Sequence, residues 1–340
     1  MNRVTVFITH SPDALAHYYG PRALAALEAV ARVKRRDDAA AWTAASLAEA
    51  AQGCEIIVSD RSAEGSAELL NRLPSLLAFC RCAVDIRNVD VAAASAQGIL
   101  VTQASAGFMT AVAEWIVGVM IDLSRHISRA VLQYRDGIQP QVSMGRELRG
   151  ATLGLVGYGQ IGRTLADAAL TLGMRVLVHD PHVRLSNPAL QQVTFERLLA
   201  EADHVVCLAL ATPATENLFG AAAFAAMKPD AFFINASRGN LVDETALLQA
   251  LDAGRIAGCA LDVGRAPDQM PSPALARHPL VIATPHIGGL TPPAIEHQSM
   301  ETVQQVSAIV QGCVPPGAVN AAHATRWQAW VQAQGFGSPA

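Results

Sequence analysis

The sequence predicts an α/β protein made of two Rossmann-like, doubly wound parallel-sheet domains. Its 340 residues exceed the size at which one hydrophobic core usually stops growing, so two domains are expected. Two separate series of short apolar, strand-like runs alternate with helix-length intervals, which is typical of parallel sheets covered by helices. A glycine-rich turn also follows the first strand-like run of the second series, as in nucleotide-binding sheets.

The first series predicts a mostly parallel, flavodoxin-like sheet. Its alternating strand-like and helix-like segments are Val4–Thr9, Ala23–Arg32, Ile56–Ser59, Ala67–Asn71, Leu76–Cys80 and Ile99–Thr102. The run Lys34–Asp38 alternates in charge sign and is interpreted as a solvated turn. A long helical pattern then runs from Ala111 to Gln133, and Gly137 and Pro140 follow it.

The second series opens at Thr152 and has the rhythm of a dinucleotide-binding sheet. Its strand-like segments are Leu153–Val156, Arg175–His179, His204–Leu208, Phe232–Asn235, Ala257–Leu261 and Val281–Thr284. A further helix, from about Pro293 to Val310, can return the chain to the first domain. We therefore expect a discontinuous substrate-binding domain of residues 1–100 and 290–340, a nucleotide-binding domain of residues 101–289, and an active site in the cleft between them.

Composition narrows the function classes. The formal net charge of −4 provides no basic face for nucleic acid or anionic lipid, so neither is expected as a partner. No stretch of about 18 or more residues is apolar enough to span a bilayer. The segment after Met1 lacks the features of a signal peptide, so we expect a cytoplasmic protein. Of the six scattered cysteines only Cys80 and Cys82 lie close together, which favours buried thiols over a metal site.

A dinucleotide site is predicted at Gly157-Tyr158-Gly159-Gln160-Ile161-Gly162, between an apolar strand and a helical stretch. The first glycine permits the tight turn, the second lets the backbone approach a pyrophosphate, and the third lets helix pack on strand. Gln160 and Ile161 open the helix, whose N-terminal N–H groups face the phosphates.

The cofactor is expected to be NAD. Asp180 ends the next strand, at the place where an acid accepts hydrogen bonds from a ribose 2′-hydroxyl and repels a 2′-phosphate. The alternative is that Asp180 only caps the turn before Pro181.

Three later segments carry candidate catalytic groups at the ends of predicted strands. They are Asn235-Ala236-Ser237-Arg238-Gly239, Ala260-Leu261-Asp262-Val263 and Thr284-Pro285-His286-Ile287-Gly288-Gly289. Because the carboxyl ends of parallel strands form the ligand crevice, we expect all three to converge near a nicotinamide. Addition of a hydride to a ketone builds negative charge on oxygen, which requires a proton donor and a fixed cation. His286 and Arg238 can supply these roles, and a guanidinium can also hold a carboxylate bidentately.

With these segments the chain resembles the D-isomer-specific 2-hydroxyacid dehydrogenase family, which includes phosphoglycerate dehydrogenases and hydroxypyruvate or glyoxylate reductases. The resemblance runs from about Ile56 to Asn320 and also includes Glu147-Leu148-Arg149-Gly150, Thr212-Pro213-Ala214-Thr215, Met227-Lys228-Pro229 and Val242-Asp243-Glu244. It implies an NAD-dependent enzyme that moves a hydride between the nicotinamide and carbon 2 of a small D-2-hydroxy or 2-keto acid. It also implies a homodimer, since family members usually dimerise through the region of the Ala111–Gln133 helix.

The resemblance further implies roles for single residues. Arg238 would bind the substrate carboxylate and carbonyl, and His286 would transfer the proton. Asp262 would contact the nicotinamide carboxamide, and Ala236 and Gly288 are expected with it in the cofactor site.

One departure from the family pattern concerns the catalytic histidine. The family places a glutamate that positions this histidine a few residues after the aspartate matching Asp262, but Pro267 stands there. Asp268 follows it and is a candidate replacement, provided that the loop shifts. A carboxylate beside His286 would favour the protonated ring and orient it.

A second departure concerns the substrate. The family's glycine-rich turn, whose amides receive the substrate carboxylate, corresponds to Ala83–Asn88, where both glycines are absent. Val84 and Asp85 are candidate substrate-binding residues there, and Asp85 either points away or pairs with a substrate hydroxyl or amine, or with Arg87. Arg61 resembles a family arginine and either binds a distal carboxylate or phosphate or lies at the surface.

Two other functions compete with this interpretation. One is a non-catalytic NAD-binding regulator similar to the transcriptional corepressors that resemble this family; the missing glutamate favours it, whereas the retention of Arg238 and His286 favours an enzyme. The other is an oxidoreductase of the family with a different donor, such as formate or phosphite. The sequence does not identify the 2-hydroxy acid.

Overall fold

The computed structural model describes residues 3–336, apart from the side chain of Asp268. The strands of these residues are β1 (Thr5–Ile8), β2 (Arg32–Arg35), β3 (Ile56–Ser59), β4 (Ala78–Arg81), β5 (Leu100–Gln103), β6 (Thr152–Val156), β7 (Arg175–His179), β8 (Leu190–Gln192), β9 (His204–Cys207), β10 (Phe232–Asn235), β11 (Gly258–Leu261) and β12 (Val281–Ala283).

The helices alternate with these strands along the chain. They are α1 (Pro12–Tyr18), α2 (Pro21–Val30), α3 (Ala44–Ala50), α4 (Ala67–Asn71), α5 (Val91–Ala96), α6 (Met109–Arg125), α7 (Ile127–Arg135), α8 (Gln160–Thr171), α9 (Phe195–Glu201), α10 (Ala221–Ala226), α11 (Glu244–Asp252), α12 (Pro273–Ala276), α13 (Pro292–Val310) and α14 (Thr325–Ala333). In the part of the chain that is described, no helix has the length and apolar character that crossing a membrane requires.

The chain divides into two compact units. Unit 1 comprises the chain up to Gly107 and from Thr291 onward, and unit 2 comprises Phe108–Leu290. The chain therefore enters unit 2 after Gly107 instead of after residue 100, and it returns to unit 1 after Leu290.

Unit 1 contains a parallel sheet in the order β2-β1-β3-β4-β5. This is the flavodoxin-like order, with its reversal between β1 and β3. Helices α13 and α14 contribute Val306, Ile309 and Trp327 to the core beneath this sheet. The buried indole of Trp327 also donates to the carbonyl oxygen of Ile309 at 3.2 Å. The chain after Thr291 thus completes the core of unit 1.

Unit 2 contains a parallel sheet in the order β12-β11-β10-β9-β6-β7-β8. Apolar residues of α6 and α8 pack on one face of the sheet, and residues of α9, α10 and α11 pack on the other. The strand order reverses between β6 and β9, which places a crevice at the carboxyl ends of these strands. The predicted α/β fold class with two Rossmann-like sheets is confirmed.

Three local predictions were wrong or incomplete. The single helix expected over Ala111–Gln133 is two helices, because His126 adopts a left-handed conformation with a φ of 56°. The carboxylate of Asp122 then accepts a hydrogen bond from the backbone N–H of Ser128 at 2.8 Å, which fixes the start of α7. The charged run expected as a turn begins inside β2, and β8 was not predicted.

Two buried histidines make the stability depend on pH. Burial lowers the pKa of His10 and of His204 from 6.5 to about 4, although the carboxylates of Asp60 and Asp203 oppose the shift. Between these values the unfolded chain binds more protons than the folded chain, so stability falls as the pH drops from 6.5 towards 4 and levels off below.

We expect His204→Leu to remove part of this acid loss, on the order of 2 kcal/mol in the free energy of unfolding. Urea unfolding at pH 7 and at pH 4.5 measures the difference, with the exposed His323→Gln variant as the matched control. An acid loss in His204→Leu as large as that of His323→Gln would contradict the assignment.

Candidate active site

The predicted site residues of unit 2 lie in loops that leave one edge of its sheet. Gly157 to Gly162 follow β6, Asp180 follows β7, Ala236 and Arg238 follow β10, Asp262 follows β11, and His286 and Gly288 follow β12. The strand order places the loops after β10, β11 and β12 side by side, with the loop after β9 between them and the glycine turn. The sheet therefore brings these residues together at its carboxyl edge.

The glycine turn needs glycine for two different steric reasons. Gly157 has a φ of 101°, and a Cβ atom there would lie 2.6 Å from the carbonyl carbon of Leu208. At Gly162 a Cβ atom would lie 2.8 Å from the carbonyl oxygen of Gly157. Gly159 is the N-cap of α8 and has no side chain to satisfy the first amides of this helix. These amides can therefore bind an anion.

Asp180 links the glycine turn to the loop after β7. One carboxylate oxygen accepts the backbone N–H of Tyr158 at 2.8 Å, and the other accepts the N–H of His182 at 2.9 Å. The half-buried carboxylate also lines a cavity of about 650 Å³. The other lining residues of this open cavity are His179, Pro181, Gln192, Val193, Thr194, Phe195, Glu196 and Arg197.

Hydrogen bonds from neighbouring residues fix the backbone around Arg238. The side-chain amide of Asn235 accepts the N–H of Ser237 at 3.1 Å and donates to the carbonyl oxygen of Arg238 at 3.0 Å. The hydroxyl of Ser237 donates to the carbonyl oxygen of Ala209 at 2.6 Å, which ties this loop to the one after β9. A Cβ atom on Gly239 would collide with the backbone of Gly264. The guanidinium of Arg238 thus projects from a rigid support.

His286 lies in a loop that the buried carboxylate of Asp262 holds. This carboxylate accepts hydrogen bonds from the hydroxyl of Thr284 at 2.6 Å and from the N–H groups of Ile287 and Gly288, each at 2.8 Å. His286 itself has a φ of 57°, a backbone angle that residues other than glycine adopt only at an energetic cost. Because the bonds to Asp262 lie on both sides of His286, they hold the histidine in this conformation.

Asp268 cannot be placed against His286. Its backbone lies in a short 3₁₀ turn, Pro267–Gln269, and its side chain lies outside the described part of the structure. The expectation that Asp268 replaces the family glutamate remains a prediction.

The remaining predicted residues, Arg61, Val84 and Asp85, lie in unit 1, in the loops after β3 and β4. The carboxylate of Asp85 accepts a hydrogen bond from the guanidinium of Arg87 at 2.6 Å and another from the backbone N–H of Arg87 at 3.0 Å. This hydrogen bonding raises the pKa of Arg87 above its ordinary value. The structure thus shows the pairing of Asp85 with Arg87, while Arg61 is exposed and Val84 is half-buried.

The sequence analysis missed a buried cation in unit 1. Arg81 ends β4 and donates to the carbonyl oxygen of Ser59 at 3.1 Å and to the side-chain oxygen of Asn88 at 3.3 Å. Its burial lowers its pKa below the ordinary value of an arginine. The sequence did contain a signal for this burial, since Arg81 lies between Cys80 and Cys82. The thiols of these two cysteines are buried, as predicted. Among the described residues, no cluster of possible metal ligands was found.

Comparison with known proteins decides the family. The family model for the D-isomer specific 2-hydroxyacid dehydrogenase, NAD binding domain, matches residues 117–288, just over half of the chain. The chain belongs to the D-isomer-specific 2-hydroxyacid dehydrogenase family. The resemblance inferred from the sequence is confirmed, and unit 2 contains the NAD-binding domain of this family.

Individual dehydrogenases agree with this membership. The D-3-phosphoglycerate dehydrogenase of Bacillus subtilis (strain 168) is 34% identical over 257 residues, covering 74% of this chain and 49% of that protein. The human D-3-phosphoglycerate dehydrogenase is 34% identical over 275 residues, covering 79% of this chain and 51% of that protein. The chain thus spans about half the length of the curated relatives it matches.

Solved structures resemble this fold over most of the chain. The TT0316 protein from Thermus thermophilus superposes with a TM-score of 0.82 at 30% identity, covering 93% of this chain and 100% of that one. The apo-structure of D-lactate dehydrogenase from Escherichia coli gives a TM-score of 0.80 at 26% identity, with the same coverage.

The residues of unit 2 fit the NAD(P) cofactor of a dehydrogenase of this family. Gly157 lets the backbone turn where no Cβ atom fits, the first amides of α8 suit a pyrophosphate, and Asp180 presents a carboxylate beside the cavity. The cofactor prediction is therefore confirmed at the level of NAD(P).

We expect Gly157→Ala to weaken NADH binding by roughly tenfold or more, because the added methyl group combines a strained φ with a backbone collision. Quenching of NADH fluorescence on titration measures the affinity. Gly220→Ala is the control, since that glycine has a φ of −98° and its Cβ atom would make ordinary contact, at 3.5 Å, with the carbonyl oxygen of Asn217. Parent-like NADH affinity in Gly157→Ala would show that the turn does not approach the cofactor.

Proposed function

We propose that this protein is an NAD-dependent oxidoreductase that transfers a hydride between the nicotinamide and carbon 2 of a small D-2-hydroxy or 2-keto acid. The observation that carries the proposal is that Arg238 and His286 follow β10 and β12, the strands on either side of β11, at the same sheet edge as the glycine turn. A fixed cation and a proton donor beside a nicotinamide site are what reduction of a ketone requires.

The cofactor would be held by groups of unit 2. The amides of α8, from Gln160 and Ile161 onward, would bind the pyrophosphate, and Asp180 would accept the ribose 2′-hydroxyl. When bound, the nicotinamide supplies the hydride for reduction of the keto acid or accepts it in the reverse direction. Because the carboxylate of Asp180 repels a 2′-phosphate, we propose a preference for NAD over NADP.

The guanidinium of Arg238 would bind the substrate carboxylate and the carbonyl oxygen. Its planar fork matches a carboxylate, and its permanent charge stabilises the oxygen as negative charge develops there. The fixed backbone from Asn235 to Gly239 supports this role, since a cation serves best where it is positioned in advance.

His286 would donate the proton to the developing alkoxide and remove it in the reverse direction. The three hydrogen bonds to Asp262 support this role because they fix the loop on both sides of His286. Asp262 would therefore position the histidine in addition to contacting the nicotinamide carboxamide, with Ala236 and Gly288 beside it.

The substrate would be further selected by unit 1. Arg61, Val84 and Asp85 are the proposed contacts, and the pairing of Asp85 with Arg87 supports a site that accepts an anionic substrate, since the ion pair offsets the negative charge. The retention of Arg238 and His286 favours this enzyme over a non-catalytic regulator.

We expect His286→Ala to lower turnover by roughly 10²- to 10⁴-fold while NADH binding is largely kept, because the lost group transfers a proton and does not bind phosphate or ribose. Oxidation of NADH with glyoxylate, hydroxypyruvate, phosphohydroxypyruvate and branched or aromatic 2-keto acids measures turnover and identifies the substrate. An active His286→Ala enzyme would overturn the mechanism.

Asp268→Asn provides the companion measurement. If Asp268 pairs with His286, the reductive rate of this variant begins to fall at a lower pH than that of the parent. A parent-like pH profile would remove Asp268 from the proposed catalytic residues and leave Arg238 and His286.

We further propose a homodimer formed through an apolar α7 surface, defined as the exposed apolar residues Ile127, Val131, Leu132, Tyr134, Ile138, Val142 and Met144. No residue of α7 is buried among the described residues, and Leu132 and Tyr134 are 57% and 62% exposed. We take this concentration of exposed apolar residues in one segment of the chain as an interaction site, and a second copy is the commonest occupant.

Leu132→Glu should convert the dimer to a monomer, because it introduces a charge into the apolar α7 surface. Light scattering at micromolar concentration gives the mass, and Leu172→Glu, at the end of α8 and outside this surface, should stay dimeric. A parent protein with the mass of a single chain would disprove the dimer.

A further inference from the structure

Gln192 lies at the end of the edge strand β8 and bonds to the loop that carries Asp180. We propose that Gln192 is a positioning residue that sets the preference for NADH over NADPH by holding this loop. The inference rests on the proposed role of Asp180 in the cofactor site. Gln192 lines the same cavity as Asp180, but the proposed effect on cofactor preference runs through the position of Asp180.

The side-chain amide of Gln192 bridges three points of the loop. Its Nε2 donates to the carbonyl oxygen of Val183 at 2.7 Å and to that of Asp180 at 3.3 Å. Its Oε1 accepts the backbone N–H of Leu185 at 3.3 Å. One side chain thus joins the start of the loop to its middle.

Gln192 stands on a strand that is paired with its neighbour, whereas the loop to which it bonds is not part of a strand. β8 pairs in parallel with β7, Gln192 lies opposite Val178, and the next residue donates its N–H to the carbonyl oxygen of Val178 at 2.9 Å. In the loop itself, Pro181, His182 and Arg184 are exposed. Val183 and Leu185 of the loop pack against the core of unit 2. The hydrogen bonds of Gln192 therefore act together with these two apolar contacts to set the position of the loop.

The position of this loop decides where the carboxylate of Asp180 lies. Its contacts with Tyr158 and His182 require the present separation between the glycine turn and the loop. The cavity that Asp180 lines also contains Arg197 in its lining, a cation suited to a 2′-phosphate. If the loop relaxes, the carboxylate no longer meets the ribose 2′-hydroxyl as well, and the cation offsets its repulsion of the phosphate.

Two substitutions separate hydrogen bonding from packing. Gln192→Ala removes the side chain, whereas Gln192→Met keeps its length and removes the hydrogen bonds. Gln191→Ala is the matched control, because Gln191 is an exposed glutamine on the same strand whose side chain points to the opposite face. Asp180→Ala shows the full effect of losing the carboxylate.

The experiment titrates NADH and NADPH into the parent and into each variant and compares dissociation constants by fluorescence. We expect Gln192→Ala and Gln192→Met to raise the dissociation constant of NADH by about 3- to 10-fold and to leave that of NADPH unchanged or lower, so that the preference narrows. The preference of Gln191→Ala should equal that of the parent.

Three results would overturn the inference. Equal weakening of NADH and NADPH would make Gln192 a general support or a direct contact, and a parent-like Gln192→Met would assign the effect to packing. A preference in Gln192→Ala equal to that in Gln191→Ala would remove the role altogether. In each case a parent that still prefers NADH leaves the proposed function standing, whereas a parent without that preference disproves the proposed role of Asp180 as well.

Discussion

The parallel direction of the strands is the constraint on which the rest of unit 2 depends. Since every strand of this sheet runs the same way, each following loop leaves from the same edge. Residues as distant in sequence as Gly157 and His286 therefore lie along the same edge of the sheet. The direction of the strands therefore decides which residues can form the candidate site, and contacts within and between the loops set their exact positions.

Backbone contacts and single carboxylates set the exact positions of these loops. Asp262 organises the loop of His286, and Asp180 connects the glycine turn to the next loop. Where the loops after β10 and β11 approach each other, at Gly239 and Gly264, neither residue has a side chain to obstruct the other. Each carboxylate combines a possible ligand contact with the support of its own loop, so its substitution affects both.

The sequence predicted the elements whose signals are local. Strands such as β7 and β10 were located to the residue because each contains a buried run of three apolar residues next to polar residues and turns. The edge strands were not, since β2 is mostly charged, β8 is largely polar, and pairing with a neighbour rather than composition makes them strands. The break at His126 was missed because the apolar periodicity continues through it.

The same distinction applies to the site. Arg238, His286 and Asp180 could be proposed from the sequence because each follows or ends a predicted strand within a characteristic segment. The bonds of Gln192 and the support that Asp262 gives to the histidine loop depend on distances between separate loops, which no pattern in the sequence records. The burial of Arg81 likewise follows from the strands on either side of β4.

The interrupted course of unit 1 has a consequence for how the protein is made. A ribosome releases β1 to β5 first, then the whole of unit 2, and only afterwards α13 and α14, which supply Val306, Ile309 and Trp327 to the core of unit 1. Until these helices emerge, the face of the first sheet on which α2 packs lacks part of its apolar cover. Unit 2, although it is synthesised later, can therefore finish folding before unit 1. The part of unit 1 that ends at Gly107 must keep an apolar surface protected until α13 and α14 are made.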